Sequence, residues 1–259
     1  MKEKILYYLC PTFAHITLMS LITFILINNG IICGYDSVVG IILILVGGIS
    51  SALWGCAFQI KYNGSNAKKI LKDFFHLKSD LRNYLIVIIF LVLDFLDVLI
   101  FGSMQITKAY TLLLIFIKSI AFGGVEEIGW RYTFHPLVEK KLPYFVTSVI
   151  TFVFWGIWHF LFFYIDGSIS YVQVIPFLTG LLTNCFIFSA IYNYTNNLWL
   201  CVLAHSLVNT FSQTVVGGNI YVWIITRIII ISLSILLCRR SKKKTRTGAN
   251  TELEGNINE

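Results

Sequence analysis

The stretch Tyr144-Phe-Val-Thr-Ser-Val-Ile-Thr-Phe-Val-Phe-Trp-Gly-Ile-Trp-His-Phe-Leu-Phe-Phe-Tyr-Ile165 contains no Asp, Glu, Lys or Arg. A helix needs about 20 apolar residues to cross a hydrocarbon core about 30 Å thick, so this stretch reads as a membrane span. Its apolar run is continuous, whereas a barrel strand would alternate over about ten residues. Working outward, comparable stretches lie near 5–27, 38–60, 84–101, 110–130, 171–192, 197–216 and 219–238, which makes eight. The composition agrees: 57% of the 259 residues are apolar, 13% are charged, and the mean hydropathy is +0.77. Soluble domains carry about twice that charged fraction, so the expected fold class is an all-α polytopic membrane protein.

The formal charge of +7 would suggest nucleic acid in a soluble protein, but its placement excludes that reading. With a cytoplasmic amino terminus, 17 of the 20 Lys and Arg fall in inside segments. The main groups are Lys2 and Lys4, the connection from Lys61 to Arg82, Arg131 with Lys140 and Lys141, and the run from Arg239 to Arg246. The outside connections hold only Lys108, while Lys118 and Arg227 lie within spans. This asymmetry predicts cytoplasmic amino and carboxy termini and an even number of spans. The 61–83 connection is basic and amphipathic around Phe74, Phe75 and Leu77, which suits either an interfacial segment or a solvated loop. The six cysteines, Cys10, Cys33, Cys56, Cys185, Cys201 and Cys238, form no Cys-x-x-Cys pair and read as small hydrophobes.

Charges inside spans are costly, so each embedded one is a functional candidate. They are Asp94 and Asp97, Lys118, Glu126 and Glu127, and Arg227, with His159, Asn184, His205 and Asn209 as polar company. Adjacent helical residues project about 100° apart, so Glu126 and Glu127 cannot share one role. Glu127 has Arg131 at i+4, a spacing that favours an ion pair. Glu126 is then free to face a cavity as a general base. The alternative is that both glutamates only pair with basic residues near the interface. Trp155 shares a helical face with His159, and His205 shares one with Asn209. A lone buried histidine can equally be a packing residue, but a double carboxylate and two histidines on three spans together suggest catalysis. Asp94 and Asp97 are expected to pair with Lys118 or Arg227, with a proton relay or cation site as the other reading. Cys201, at i−4 from His205, could act as a nucleophile, against the reading of a packed small residue.

The ordered motifs Glu126-Glu127-x-x-x-Arg131, Trp155-x-x-x-His159 and His205-x-x-x-Asn209 resemble those of the CPBP intramembrane proteases, the CAAX prenyl protease and bacteriocin-processing (Abi) family. The resemblance covers about residues 122–211, and it departs from the family where Trp155 replaces the common Phe. It implies eight helices around an intramembrane cavity open toward the cytoplasm. It further implies that Glu126 activates water with help from His159, that His205 and Asn209 stabilise the oxyanion, and that Glu127, Arg131 and Trp155 are supporting residues. The expected organisation is an amino-terminal three-span region over 1–108, which carries no motif of the family, a catalytic core over 109–238 that resembles it, and a basic, then acidic, tail over 239–259 whose composition reads as disordered and cytoplasmic.

The expected activity is endopeptidase cleavage of a peptide or membrane-anchored protein at the bilayer, in a plasma membrane, with no nucleic-acid partner. No cofactor is expected. The zinc alternative would use Glu126, His159 and His205, but the His-Glu-x-x-His signature is absent. The competing functions are a membrane scaffold or bacteriocin-immunity protein acting through partners, and a transporter built on Asp94, Asp97 and Lys118.

Overall fold

The computed structural model describes residues 1–31, 37–105 and 108–255, so Cys33 and the last four residues of the tail lie outside the described residues. The chain is a bundle of helices. Helix α1 (Lys2–Asn28) is followed by α2 (Val38–Gly48) and α3 (Ser50–Asn63), which meet at Ile49 and together make one 26-residue apolar span. The short α4 (Ala67–Phe74) starts on Asn66, whose Oδ1 accepts from the Lys69 amide at 2.8 Å. It buries Ile70 and Phe74 while Phe75 and Leu77 stay exposed, so the basic connection is a helix docked on the bundle by one apolar edge.

The third expected span is broken at Phe95 into α5 (Leu81–Asp94) and α6 (Leu96–Phe101). It leads into a strand, β1 (Gly102–Met104), that no sequence signal predicts. After α7 (Ala109–Phe122) come a 3-10 turn at Gly124–Glu126, the single turn α8 (Glu127–Gly129), a π-helical turn at Trp130–Phe134 and α9 (His135–Glu139). Three long elements complete the core: α10 (Tyr144–Ile165), α11 (Val174–Thr195) and α12 (Leu198–Ser212). Strand β2 (Val215–Gly217) pairs antiparallel with β1, Ser103 opposite Val216, and α13 (Ile220–Gly255) ends the described chain. The α13 backbone is helical as far as Gly255.

Among the described residues, five helical stretches are long and apolar enough to cross a membrane: α1, α2 with α3, α10, α11 and Ile220–Arg240 of α13. The other three expected spans are short or interrupted. Broken backbone at membrane depth is tolerated where protein or a cavity, rather than lipid, surrounds it. That is the situation of α12, which buries ten of its 15 residues.

The bundle has two chemically different ends. At one, Lys61 lies 4.1 Å from the Tyr7 ring, joining the start of α1 to the end of α3. At the same end Asn193 donates to Glu139 at 2.6 Å, joining α11 to α9, and Asn197 donates to the His76 carbonyl at 3.2 Å. This is the end that carries the basic clusters. At the opposite end the β1–β2 ladder ties α6 to the connection between α12 and α13, extended by Gln105 donating to the Thr214 carbonyl at 2.7 Å.

Between the ends, Arg227 forms an ion pair with Asp94 and also donates to the Asp94 carbonyl at 3.0 Å, linking α13 to α5. Of the two expected aspartates only Asp94 is paired: Asp97 is buried with Oδ1 lacking a hydrogen-bond partner among the described residues, and Lys118 is exposed.

The core packs backbone on backbone where α3 meets α8. A Cβ added at Gly129 would lie 2.5 Å from the Ser51 carbonyl oxygen and collide with the Tyr8 hydroxyl, and one added at Gly55 would lie 2.9 Å from the Gly129 Cα. Only glycine allows this approach. Gly129→Ala is therefore expected to destabilise the protein by about 1–3 kcal/mol, read as a lower unfolding midpoint in detergent.

Candidate active site

The site is built where α7 stops being an α-helix. Gly123 and Gly124 open the 3-10 turn, which brings Glu126 and Glu127 to the centre of the bundle, with exposures of 6% and 0%. The next turn widens: Thr133 Oγ1 donates to the Ile128 carbonyl five residues back at 2.9 Å. Single π turns of this kind recur at functional sites. Within it Arg131 faces Glu127, with Nε 3.4 Å from Oε2 and NH1 3.4 Å from Oε1. The i+4 ion pair expected from the sequence is present. Arg131 is, however, fully buried and is not the loop charge it was counted as. Its guanidinium lies 4.1 Å from the Trp155 ring and 5.1 Å from the Phe188 ring, and it reaches the Asn184 carbonyl at 3.5 Å. A buried cation needs such a surround of carboxylate, carbonyl and ring faces.

Helix α10 supplies Trp155 and His159. The Trp155 indole N–H donates to Glu126 Oε2 at 2.7 Å, while its carbonyl lies 2.8 Å from His159 Nδ1. A carbonyl can only accept, so Nδ1 carries the proton and His159 Nε2 is left with a free lone pair. One residue thus holds both the carboxylate and the imidazole, through side chain and main chain respectively. This goes beyond the aromatic bulk that the sequence suggested for Trp155, since a phenylalanine could not make the bond to Glu126.

Helix α12 supplies His205 and Asn209. His205 Nδ1 lies 2.7 Å from Glu127 Oε1, and its ring stacks on Phe188 at 5.1 Å with an interplanar angle of 24°. Glu127 is therefore shared by Arg131 and His205. With Nδ1 occupied, His205 Nε2 is the free atom. A Cβ built at Gly123 would lie 3.0 Å from it and would collide with Asn209 Nδ2, so the missing side chain keeps space open in front of both nitrogens.

All seven site residues expected from the sequence gather here. Phe188, which supports both Arg131 and His205, was not expected, because an apolar residue in an apolar span carries no mark of its role. Cys201 is fully buried with its thiol 3.4 Å from the Phe188 carbonyl, the position of a packed residue.

A cavity of about 330 Å³ adjoins the site, with Trp155, His159, Asn184, His205 and Asn209 in its wall. Its outer wall is Pro176, Ser212 and Trp223, at the end of the bundle opposite the basic clusters. The resemblance implied the reverse, a cavity opening on the side of the basic loops. Among the described residues no group of three or more His, Cys, Asp or Glu side chains is placed to hold a metal ion.

Residues 107–211 match the sequence model of the Rce1-like family, type II CAAX prenyl endopeptidase. That segment begins just before α7 and ends in α12, so it contains every residue of the site. No curated protein matches the chain. The segment that builds the site is thus similar in sequence to the Rce1-like type II CAAX prenyl endopeptidases, a family of proteases.

Proposed function

We propose that the protein is an intramembrane endopeptidase in which Glu126 and His159 activate a water molecule. It resides in the plasma membrane with both termini cytoplasmic, and its substrate is a peptide or a membrane-anchored protein. The observation that carries the reading is the double hold of Trp155 on Glu126 and His159, at 2.7 and 2.8 Å. It leaves Glu126 Oε1 and His159 Nε2 as two acceptors for the two protons of one water.

As Glu126 takes a proton, the water oxygen bonds to the scissile carbonyl carbon and the carbonyl oxygen becomes an oxyanion. His205 Nε2–H and the Asn209 amide receive that charge in the space that Gly123 leaves open. Donating from both nitrogens, from Nδ1 to Glu127 and from Nε2 to the oxyanion, is the work of a doubly protonated His205 ring. The C–N bond then breaks, and Glu126 returns its proton to the leaving amine.

The test is hydrolysis of an internally quenched peptide library by detergent-solubilised protein, with and without chelator. Wild type is expected to cleave, His159→Ala and His205→Ala to lose at least about 100-fold in kcat, and the chelator to change nothing. Equal turnover by wild type and both variants would sink the protease reading. Loss on chelation alone would replace the metal-free mechanism with a metal-dependent one.

A further inference from the structure

The position of the cavity along the bundle bears on which side of the membrane supplies the substrate. His159 lies six residues from the end of α10 at Ile165 and fifteen from its start at Tyr144, about 9 Å against about 22 Å of helix. Asn209 is three residues from the end of α12 at Ser212, about 4.5 Å. The active-site cavity continues in the same direction. It shares Asp94, Phe95, Pro176, Trp223 and Arg227 with a second cavity of about 450 Å³ that reaches Gly217, Gly218 and Asn219 beside the β1–β2 ladder.

Toward the basic end the site is closed. Arg131, Glu127, Phe188, Cys201 and Val202 fill that side with no exposure. A polar cavity of about 440 Å³ does open there, between Gln59, Asp73, Tyr132 and Asn197, but none of the acid-base or oxyanion side chains lines it. A third cavity, about 590 Å³ and almost wholly apolar, faces sideways between α3, α4 and α7; Val125 and Ile128 line it and the two glutamates do not.

The basic clusters fix which end is which. Lys and Arg near span ends are retained on the cytoplasmic side. In the bundle, Lys2, Lys4, Lys61, Lys140, Lys141 and Arg239 lie at the closed end, and Lys108 lies at the open one. We propose that the active site is loaded from the non-cytoplasmic face and acts on polypeptide presented there, instead of on a lipidated tail reaching it from the cytoplasm. The proposal rests on the protease reading above and specifies its substrate side. The wall that the two cavities share suits such a guest: the Asp94–Arg227 pair offers polar contacts to a peptide backbone entering past α6.

Two measurements test it separately from the protease reading. In the first, Ser212→Cys and Lys69→Cys are exposed to a membrane-impermeant maleimide. Ser212→Cys is expected to gain a label over wild type in intact cells, and Lys69→Cys only after permeabilisation; the opposite pattern overturns the proposal. In the second, an impermeant, internally quenched peptide library is added to sealed membrane vesicles of either orientation. Cleavage is expected to be at least tenfold faster in right-side-out vesicles. Faster cleavage in inside-out vesicles overturns the substrate side while leaving the protease intact. No cleavage even in detergent removes the protease reading, and this proposal with it.

Discussion

Glu126→Gln is expected to lower kcat by about 10²–10⁴-fold while the protein stays folded. The amide is nearly isosteric with the carboxylate, and its oxygen can still accept from the Trp155 indole, so the packing around a side chain only 6% exposed is preserved. What is lost is the ability to take a proton from water and return it to the leaving amine. Trp155→Phe is the companion measurement. It keeps an aromatic ring beside Arg131 and His205 but removes the bond to Glu126, and a hydrogen bond to a charged group is worth about 1.5–3 kcal/mol. A fall of about tenfold or more in kcat, with KM little changed, would identify Trp155 as the residue that positions the base. Full activity in Glu126→Gln would reassign the base altogether.

Glu127→Ala is expected to cost both stability and activity. It leaves Arg131, with no exposure to solvent, without its carboxylate, and breaking one partner out of a buried pair typically costs about 3–5 kcal/mol. It also frees His205 Nδ1, whose bond to Glu127 sets the ring that faces Asn209. Thermal unfolding in detergent should show a large drop in midpoint. Glu127→Ala combined with Arg131→Met separates the two effects: removing the orphaned cation should recover much of the stability, since apolar replacement of a whole buried pair is often nearly neutral. Activity should stay low because His205 still lacks its partner. Recovery of both together would mean that Glu127 serves only the ion pair.

The legible parts of the site are those that depend on local spacing. Glu127 and Arg131 are four residues apart on one helical ribbon, as are Trp155 and His159, and His205 and Asn209, so each pair follows from helix geometry. The contacts between pairs are a different matter. Glu126 to Trp155 spans 29 positions and His205 to Glu127 spans 78. Nothing local selects those partners; they follow from how α7, α10 and α12 pack. The Asp94–Arg227 pair, 133 positions apart, was named only as one of several pairings because a charge in an apolar span states its need for a partner without saying which.

By itself, the sequence determined the solvent and the cast. Apolar runs of bilayer length dictate helices, because unpaired backbone groups cannot be left in hydrocarbon, and a chain with 13% charged residues has few candidates for chemistry. It also determined the helix ends that carry basic charge. Tertiary structure alone decided that the fourth apolar run breaks into 3-10 and π turns, that Trp155 holds the Glu126 carboxylate and the His159 imidazole together, and that Arg131 leaves the loops for the core. It alone set the cavity at the end away from the basic clusters. These outcomes depend on packing at glycine contacts such as Gly55 with Gly129, and on buried charges finding partners through space, neither of which is encoded by spacing along one helix.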